Sequence, residues 1–261
     1  MGQGMHAAEF FSTYGNSSAA PWSGNSNYVA NEAALFAALH DLYGDAHRPL
    51  RPMPSYKEEL TSRLLSERVR TYLETGVNTG ESLMLGRDLA LAIGVDPAPK
   101  VPPGIFDKPP FRLVAKPSDD FFLATFSGDG PDFTLDLAFI DGLHVFEYAL
   151  RDVIGCEALA APGCEVLVHD VLPRRGAEAA RHRFSRAWTG DVWRVPMVLR
   201  HFRPDLTVRL CESAPTGLAV ISGLDSRNTV LMEHYDEVVA YGLGLSILDF
   251  MQDRDAHVAA V

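Results

Sequence analysis

Five short apolar runs that alternate with helical segments constrain the fold of this 261-residue chain more than any other feature. Such runs predict strands that are buried on both faces, because the helices between them would cover both sides of a mostly parallel sheet. The predicted strands lie at 70–73, 92–95, 111–115, 135–140 and 165–168, and helices are expected at 81–90, 121–126 and 144–159.

The chain after the fifth run completes this layout. A long helix is predicted at 177–200, and the apolar runs 207–210 and 218–221 are close enough to pair as antiparallel strands. We therefore predict an α/β fold with a seven-stranded, mostly parallel sheet and an antiparallel final strand.

The two ends of the chain are predicted to lie outside this main domain. The stretch 1–27 has little periodic apolar signal and is expected to be mobile or draped over the surface, whereas helices are expected at 28–43 and 56–67. The predicted units are an N-terminal mobile and helical extension at 1–65, the main domain at 66–225 and a C-terminal helical tail at 226–261.

A glycine turn follows the first predicted strand, in the sequence Leu73-Glu74-Thr75-Gly76-Val77-Asn78-Thr79-Gly80-Glu81-Ser82. Glycines at a strand-to-helix junction let the backbone turn tightly and approach a ligand, and the free N–H groups of the following helix can bind it. The second predicted strand ends at Asp96, whose carboxylate is placed to accept both hydroxyls of a ribose. Together these features predict a cofactor that contains a nucleoside.

A dinucleotide-binding oxidoreductase is a rival interpretation of this turn. Its fingerprint is G-x-G-x-x-G, whereas Gly76 and Gly80 are spaced G-x-x-x-G and follow Glu74. A glutamate there would repel a pyrophosphate, but it suits the ammonium and sulfonium groups of S-adenosylmethionine (SAM). The turn therefore favours SAM over a nicotinamide cofactor.

The segment from Glu74 to Ser82 resembles motif I of the catechol and caffeoyl-CoA O-methyltransferase group and of its bacterial relatives, the methyltransferase-24 type. The resemblance implies a Rossmann-like, class I SAM methyltransferase fold over the main domain. It also implies that Asp96 binds the ribose and that Ser118 and Asp119 contact the adenine. The other residues expected to bind SAM are Glu74, Gly76, Val77, Asn78, Gly80, Ser82 and Asp141.

Two acids and two histidines follow the fourth and fifth predicted strands. Asp141 and His144 come after the fourth strand, and His169 and Asp170 come at the end of the fifth. Because ligands bind at the carboxyl edge of such a sheet, these side chains are expected beside the SAM pocket. We predict a divalent cation held by Asp141, Asp170 and His169. Oxygen ligands favour Mg²⁺, our first choice, whereas a histidine ligand favours Mn²⁺, Fe²⁺, Co²⁺, Ni²⁺ or Zn²⁺.

This cluster is also similar to that of the metal-dependent O-methyltransferases, which carry an Asp after the fourth strand, a base three residues later and an Asp-Asn pair after the fifth. The resemblance implies that Asp141 and Asp170 are metal ligands and that His144 replaces the usual lysine base. Val171 stands in place of the coordinating asparagine, so His169 or water would supply that ligand. The predicted catalytic residues are His144 and Asp141, because an imidazole with an ordinary pKa of about 6.5 accepts a proton near neutral pH.

Composition narrows the class of partner. The net charge of −11 argues against nucleic acid and anionic membranes, which would demand a basic face. The three cysteines form no C-x-x-C pair, which predicts reduced thiols, and no apolar stretch approaches the ~20 residues that span a bilayer. We expect a cytoplasmic protein that acts on a small-molecule acceptor, and a homo-oligomer is left open.

The sequence thus predicts a SAM-dependent O-methyltransferase that acts on a hydroxyl of a sugar or phenolic natural product with the help of a divalent cation. A metal-dependent oxygenase or hydroxylase on the same fold is an alternative, because one histidine and two carboxylates can bind iron. A non-catalytic SAM-fold binding protein is another. Trp188 and Trp193, which flank a Gly-Asp pair, are predicted either to line the acceptor pocket or to belong to the core.

Overall fold

A single seven-stranded sheet forms the centre of the computed structural model, which describes residues 7–15, 54–127, 131–183 and 187–259. Its strands are β1 (Thr71–Thr75), β2 (Leu91–Val95), β3 (Phe111–Val114), β4 (Leu135–Ile140), β5 (Ala160–His169), β6 (Thr207–Cys211) and β7 (Leu218–Ser222). Their order is β3-β2-β1-β4-β5-β7-β6. Strands β1 to β5 pair in parallel, and β7 lies antiparallel between β5 and β6. The predicted fold class is confirmed.

Helices cover both faces of the sheet. They are α1 (Ala7–Tyr14), α2 (Tyr56–Leu64), α3 (Ser118–Ser127), α4 (Phe146–Ala158), α5 (Arg194–Phe202), α6 (Val230–Glu233), α7 (Tyr235–Gly244), α8 (Ile247–Gln252) and α9 (Arg254–Ala259). Alternate residues of β4 enter two separate apolar clusters, since Ala138 and Ile140 join one and Leu137 and Phe139 join the other. Burial on both faces explains why these strands are continuous apolar runs in the sequence.

Three of the predicted helices are present with small changes in their bounds. The helix predicted at 56–67 is α2, which begins with a capping box between Ser55 and Glu58. The helices predicted at 121–126 and 144–159 are α3 and α4. The tail contains the short helices α6 to α9, whereas the helix predicted at 28–43 lies outside the described residues.

The N-terminal stretch differs from its prediction where the structure describes it. Helix α1 packs against α3, and its residues Phe10 and Phe11 are fully buried. The ring of Phe11 stacks on that of Phe122, with 5.1 Å between centroids. Residues 7–14 are therefore part of the core rather than a surface segment, and burial of two aromatic side chains supplies the stabilisation that the weak apolar periodicity did not indicate.

The helix predicted at 81–90 is wrong, because only a short 3₁₀ helix at Leu83–Gly86 is formed there. A Cβ at Gly86 would lie 3.0 Å from Cβ of Ala92 and 3.2 Å from Tyr72, so the backbone packs closely on the sheet at this point. A glycine in mid-segment also lowers helix propensity by about 1 kcal/mol relative to alanine. The connection from β1 to β2 is consequently compact and mostly non-helical.

The long helix predicted at 177–200 is also wrong over most of its length. Helix α5 begins only at Arg194, which places Pro196 in its first turn, where a missing N–H costs little. Gly190 has φ +60°, a left-handed conformation that a helix does not contain. The described residues 187–193 instead form a loop that reaches the carboxyl edge of the sheet. None of the described helices is long and apolar enough to cross a membrane.

Candidate active site

One cavity of about 970 Å³ opens at the carboxyl edge of the sheet, where the loops after β1, β2, β3, β4 and β5 meet. This volume is at the upper end of the usual range for small-molecule sites, roughly 300–1,000 Å³. The predicted site residues that line it are Gly76, Asn78, Asp96, Ser118, Asp119, Asp141, His144, His169 and Asp170. The predicted residues Glu74, Val77, Gly80 and Ser82 do not line it.

The glycine turn brings the end of β1 against the end of β4. Gly76 has φ +88°, and a Cβ on it would lie 2.1 Å from the carbonyl oxygen of Asp141. Gly80 has φ +80°, and a Cβ there would meet the ring of Phe106 at 2.5 Å. Both positions therefore require glycine, one for the approach of the two strand ends and one for packing of the loop.

Glu74 is fully buried and does not line the cavity. Its carboxylate accepts hydrogen bonds from the hydroxyls of Tyr72 and Ser82, both at 2.7 Å. Burial raises the pKa of Glu74 to about 8, although the two hydroxyl donors act against this shift. Glu74 therefore supports the turn through Ser82, and its contact with the ammonium and sulfonium of SAM stays a prediction.

Asp96 is held in place at the tip of β2. Its two carboxylate oxygens accept the backbone N–H groups of Asn78 at 2.8 Å and Ala98 at 2.7 Å. Each carboxylate oxygen has a second lone pair, so the group can still accept hydroxyls from a ligand. Asn78 has φ 45°, which turns its N–H toward the acid and links the glycine turn to the end of β2.

The side chain of Asp119 forms a buried ion pair with Arg151. Its carboxylate oxygens accept two hydrogen bonds from the guanidinium of Arg151, both at 2.8 Å, and only 4% of the residue is exposed. The hydroxyl of Tyr235 accepts a further hydrogen bond from Arg151 at 3.0 Å. Ser118 also lines the cavity, and the contact of Ser118 and Asp119 with the adenine stays a prediction.

The cavity is also lined by a polar group that was not predicted from the sequence. Asp152 on α4 is 3% exposed, and its Oδ2 accepts a hydrogen bond from the hydroxyl of Thr75 at 2.9 Å. Burial raises the pKa of Asp152 to about 7. Tyr148 and Asp152 both line the cavity. Their i, i+4 spacing on one helix face is the sequence signal that indicates this wall.

The imidazole of His144 lies between two carboxylates and a carbonyl. Its Nδ1 is 2.9 Å from the carbonyl oxygen of Trp188 and 3.2 Å from Oδ2 of Asp170, and its Nε2 is 3.6 Å from Oδ1 of Asp141. A carbonyl oxygen only accepts, so Nδ1 carries a hydrogen and Nε2 is the nitrogen that gains or loses a proton.

The two carboxylates change the pKa of His144. Burial alone would lower this pKa, but the hydrogen bond to Asp141 and the charges of Asp170 and Asp141 outweigh burial and raise it to about 9. The pKa therefore lies above the unperturbed value of about 6.5. The imidazole holds a proton at neutral pH unless another cation offsets the two carboxylates.

His169 supports Asp141 from the side of β5. Its Nδ1 is 3.0 Å from Oδ1 of Asp141, and its ring packs against Tyr56 at 4.5 Å between centroids. Burial alone would raise the pKa of Asp141. The charge of His169 and its hydrogen bond to Asp141 outweigh burial and help to hold this pKa well below the usual range. The Nε2 of His169 is buried and has no hydrogen-bond partner among the described residues.

Three of these side chains could hold a cation. Donor atoms of Asp141, His144 and Asp170 all lie within 4.8 Å of one another. This group contains His144 where His169 was predicted, and the identity of the metal ligands stays a prediction. Two carboxylates and one imidazole fit a divalent cation, with Mn²⁺, Fe²⁺, Co²⁺, Ni²⁺ or Zn²⁺ favoured over Mg²⁺ if the imidazole binds.

Asp170 is fixed by its backbone and by a residue that the sequence did not indicate. It has φ 61°, and the hydroxyl of Thr216, in the loop between β6 and β7, donates a hydrogen bond to its Oδ1. Thr216 also lines the cavity. The antiparallel pair β6 and β7 therefore contributes directly to the site, since its connecting loop orients the acid at the end of β5.

Residues 187–193, the Trp188 loop, pack over His144. The two rings stack at 5.1 Å between centroids with an interplanar angle of 26°, and Trp188 lines the cavity. A Cβ on Gly190 would lie 1.7 Å from the carbonyl oxygen of His144, so this glycine permits the close approach of the loop. Trp193, in contrast, is 1% exposed and packs against Phe250. Trp188 therefore lines the cavity, as the first prediction for this pair states, and Trp193 belongs to the core, as the second states.

The comparison with known families agrees with this arrangement. Residues 73–171 match the profile of a family described as a methyltransferase domain. The matched segment runs from β1 to the loop after β5 and contains the glycine turn, Asp96 and both strand-end acids. Residues 73–171 of this chain are therefore similar to a methyltransferase domain. A search of curated proteins finds no significant match.

Solved structures similar to this chain include three with bound cofactor or product. An O-methyltransferase from Bacillus cereus in complex with SAH is 13% identical, with a TM-score of 0.47, and the match covers 76% of this chain and 91% of that one. The cofactor-bound Rv0187 from MTB is 16% identical, with a TM-score of 0.49 and coverage of 85% and 100%. TomG from Streptomyces achromogenes, an O-methyltransferase involved in tomaymycin synthesis and complexed with SAM, is 16% identical, with a TM-score of 0.46 and coverage of 76% and 90%.

Proposed function

We propose that the methyltransferase transfers the methyl group of SAM to a hydroxyl oxygen of a small molecule, a phenol or sugar of natural-product type, with His144 as the base and a divalent cation at Asp141 and Asp170. The observation that carries this proposal is a shared cavity. Asp96, expected to hold the ribose, and His144, whose Nε2 can accept a proton, line the same space. Donor and base can therefore act on one bound acceptor.

The donor would occupy the side of the cavity formed by β1, β2 and β3. Asp96 accepts the ribose hydroxyls, Ser118 faces the adenine, and the backbone at Gly76 lies along the methionine half. Methyl transfer is an in-line displacement, so the acceptor oxygen must approach the sulfonium methyl from the opposite side in a fixed orientation. The opposite wall, formed by Trp188, Pro215 and His144, is suited to a ring.

His144 would take the proton of the acceptor hydroxyl at Nε2. Its Nδ1–H is held by the Trp188 carbonyl and by Asp170, which fixes the tautomer and the plane of the ring. When bound between Asp141 and Asp170, a divalent cation lowers the pKa of a coordinated hydroxyl and offsets the carboxylate charge. A neutral imidazole in that state can act as base, a contribution typically worth about 10² to 10⁴ in rate.

Removal of metal tests the cation directly. Labelled methyl transfer from SAM should be measured with catechol, 3,4-dihydroxybenzoate and methyl glucoside as acceptors, before and after treatment with a chelator. We expect transfer to fall at least about 10-fold in chelator and to return on addition of a divalent cation, because the acceptor loses its activation and its orientation. Recovery with Mg²⁺ alone would indicate an oxygen-ligand site, whereas preference for Mn²⁺ or Co²⁺ would indicate that His144 also binds the metal.

Two outcomes contradict parts of the proposal. Undiminished transfer in chelator would exclude the role of the cation and leave O-methylation intact. Absence of transfer to every hydroxyl acceptor, together with oxygen consumption that depends on added Fe²⁺, would favour the oxygenase alternative.

A further inference from the structure

Two arginines line the cavity on the side of the acceptor wall. Arg174 lies in the loop after β5 and Arg183 lies before the Trp188 loop, and both contribute to the lining. A guanidinium stays charged throughout the physiological pH range. Because the chain as a whole has a net charge of −11, two such cations at one wall are a local departure from its general acidity.

Arg174 is held by a buried acid. Its Nη2 donates a hydrogen bond to Oε1 of Glu178 at 3.0 Å, and its backbone N–H donates to Oε2 at 3.0 Å. Glu178 is only 4% exposed, while the side chain of Arg174 is 32% exposed. Within the part of the chain that the structure describes, Nη1 of Arg174 makes no hydrogen bond. The ion pair therefore fixes the guanidinium and leaves one edge of it open to a ligand.

The same glutamate also positions the Trp188 loop. Its backbone carbonyl accepts the N–H groups of Thr189 at 2.9 Å and Gly190 at 3.1 Å. Arg183 is also close to this loop, with its guanidinium carbon 5.8 Å from the centroid of the Trp188 ring. Because Trp188 stacks on His144, Glu178 sets the arginine, the indole and the imidazole in one arrangement.

We propose that the acceptor is an acidic ring compound, whose ring lies against Trp188 and whose carboxylate pairs with the free edge of Arg174 while Arg183 adds a second positive charge. A planar guanidinium matches a carboxylate with two parallel hydrogen bonds, which selects for an acid over a neutral amide of the same shape. This inference rests on the proposed function for the role of the ring hydroxyl. The recognition of the acid does not depend on methyl transfer.

The test uses 3,4-dihydroxybenzoate and its neutral counterpart 3,4-dihydroxybenzamide as probes. Each is titrated calorimetrically into the full-length protein saturated with S-adenosylhomocysteine (SAH). The wild type is expected to bind the carboxylate about 10- to 100-fold more tightly than the amide, the range typical of a hydrogen-bonded charge. Arg174→Met should abolish most of this preference and leave affinity for the amide unchanged, which also shows that the variant is folded.

Arg175→Met is the matched control. Arg175 is the next residue, is exposed and does not line the cavity, so its replacement should leave the preference as in the wild type. Arg183→Met should reduce the preference for the carboxylate to a smaller degree. This variant provides a second test if Arg174→Met does not fold. Equal affinity of the wild type for the two probes, or an unchanged preference in Arg174→Met, overturns the inference.

Failure of the proposed function gives a different result. If the protein does not bind SAH, the donor site is wrong, and the same titrations without SAH still measure the preference for the acid. If the carboxylate binds in an Arg174-dependent way but is not methylated, the inference stands and O-methylation of this ring is excluded.

Discussion

Replacement of Asp96 by alanine is expected to weaken the binding of SAH by at least about 100-fold. The carboxylate is held by the N–H groups of Asn78 and Ala98 and is placed to accept two ribose hydroxyls. Hydrogen bonds to a charged group contribute about 1.5–3 kcal/mol each, so the loss of two corresponds to this factor or more. Titration calorimetry on the purified full-length protein measures the effect.

Two controls separate binding from folding in this experiment. Asp107→Ala removes an exposed carboxylate from a loop outside the cavity and should bind SAH as the wild type does. Asp96→Asn keeps the size of the side chain and part of its accepting capacity, so its affinity should lie between those of the wild type and Asp96→Ala. Wild-type affinity in Asp96→Ala, with an unchanged thermal transition, would show that the nucleoside is bound elsewhere.

Replacement of His144 by alanine is expected to lower the rate of methyl transfer by about 10² to 10⁴, the usual contribution of a positioned base. Affinity for SAH should change by less than about threefold, because the imidazole belongs to the acceptor wall and the nucleoside site does not need it. The measurements are kcat with the best of the three hydroxyl acceptors and the dissociation constant of SAH.

Metal affinity in the same variant distinguishes the two roles open to His144. Donor atoms of His144, Asp141 and Asp170 lie close enough for the imidazole to be a ligand, whereas a base would leave the cation on the carboxylates alone. A fall in kcat with unchanged metal affinity supports the base, and a parallel fall in both makes it a ligand. His234→Ala, which removes an exposed imidazole outside the cavity, should change neither quantity, and an unchanged kcat in His144→Ala would contradict both roles.

The positions of the strand-end residues could be predicted from the sequence because they follow from topology. In a parallel sheet the carboxyl ends of the strands meet at one edge, so Asp96, Asp141 and Asp170 had to lie near one another once the strands were recognised. Gly76 was predictable for a similar reason, since only glycine allows the end of β1 to approach the backbone of Asp141 so closely.

The direction of a side chain within a motif was harder to predict. Glu74 belongs to the motif but turns to the hydroxyls of Tyr72 and Ser82. Tyr72 and Glu74 are two residues apart on one strand and so share a face, which is a sequence signal for this pair. The pairing of Asp119 with Arg151 joins residues that are distant in the chain, so no local pattern indicates it.

The loop before α5 was predicted as a helix because its apolar residues lie in two different places, the cavity wall and the core. Trp188 faces the cavity and Trp193 enters the core, so together with neighbouring apolar residues they imitate the spacing of one buried face. The left-handed Gly190, which a periodicity argument ignores, breaks that face. Residues such as Thr216 and Glu178 act only through contacts made after folding, so their part in the site was visible only in the structure.

A crystal structure of the protein with SAH tests the central claim most directly. We predict the nucleoside at the carboxyl edge of the sheet, with both ribose hydroxyls within hydrogen-bond distance of Asp96 and with the homocysteine sulfur facing the space beside His144 and Asp141. Density for SAH at any other place, or that edge closed by the protein's own side chains in crystals grown at saturating SAH, would contradict the account.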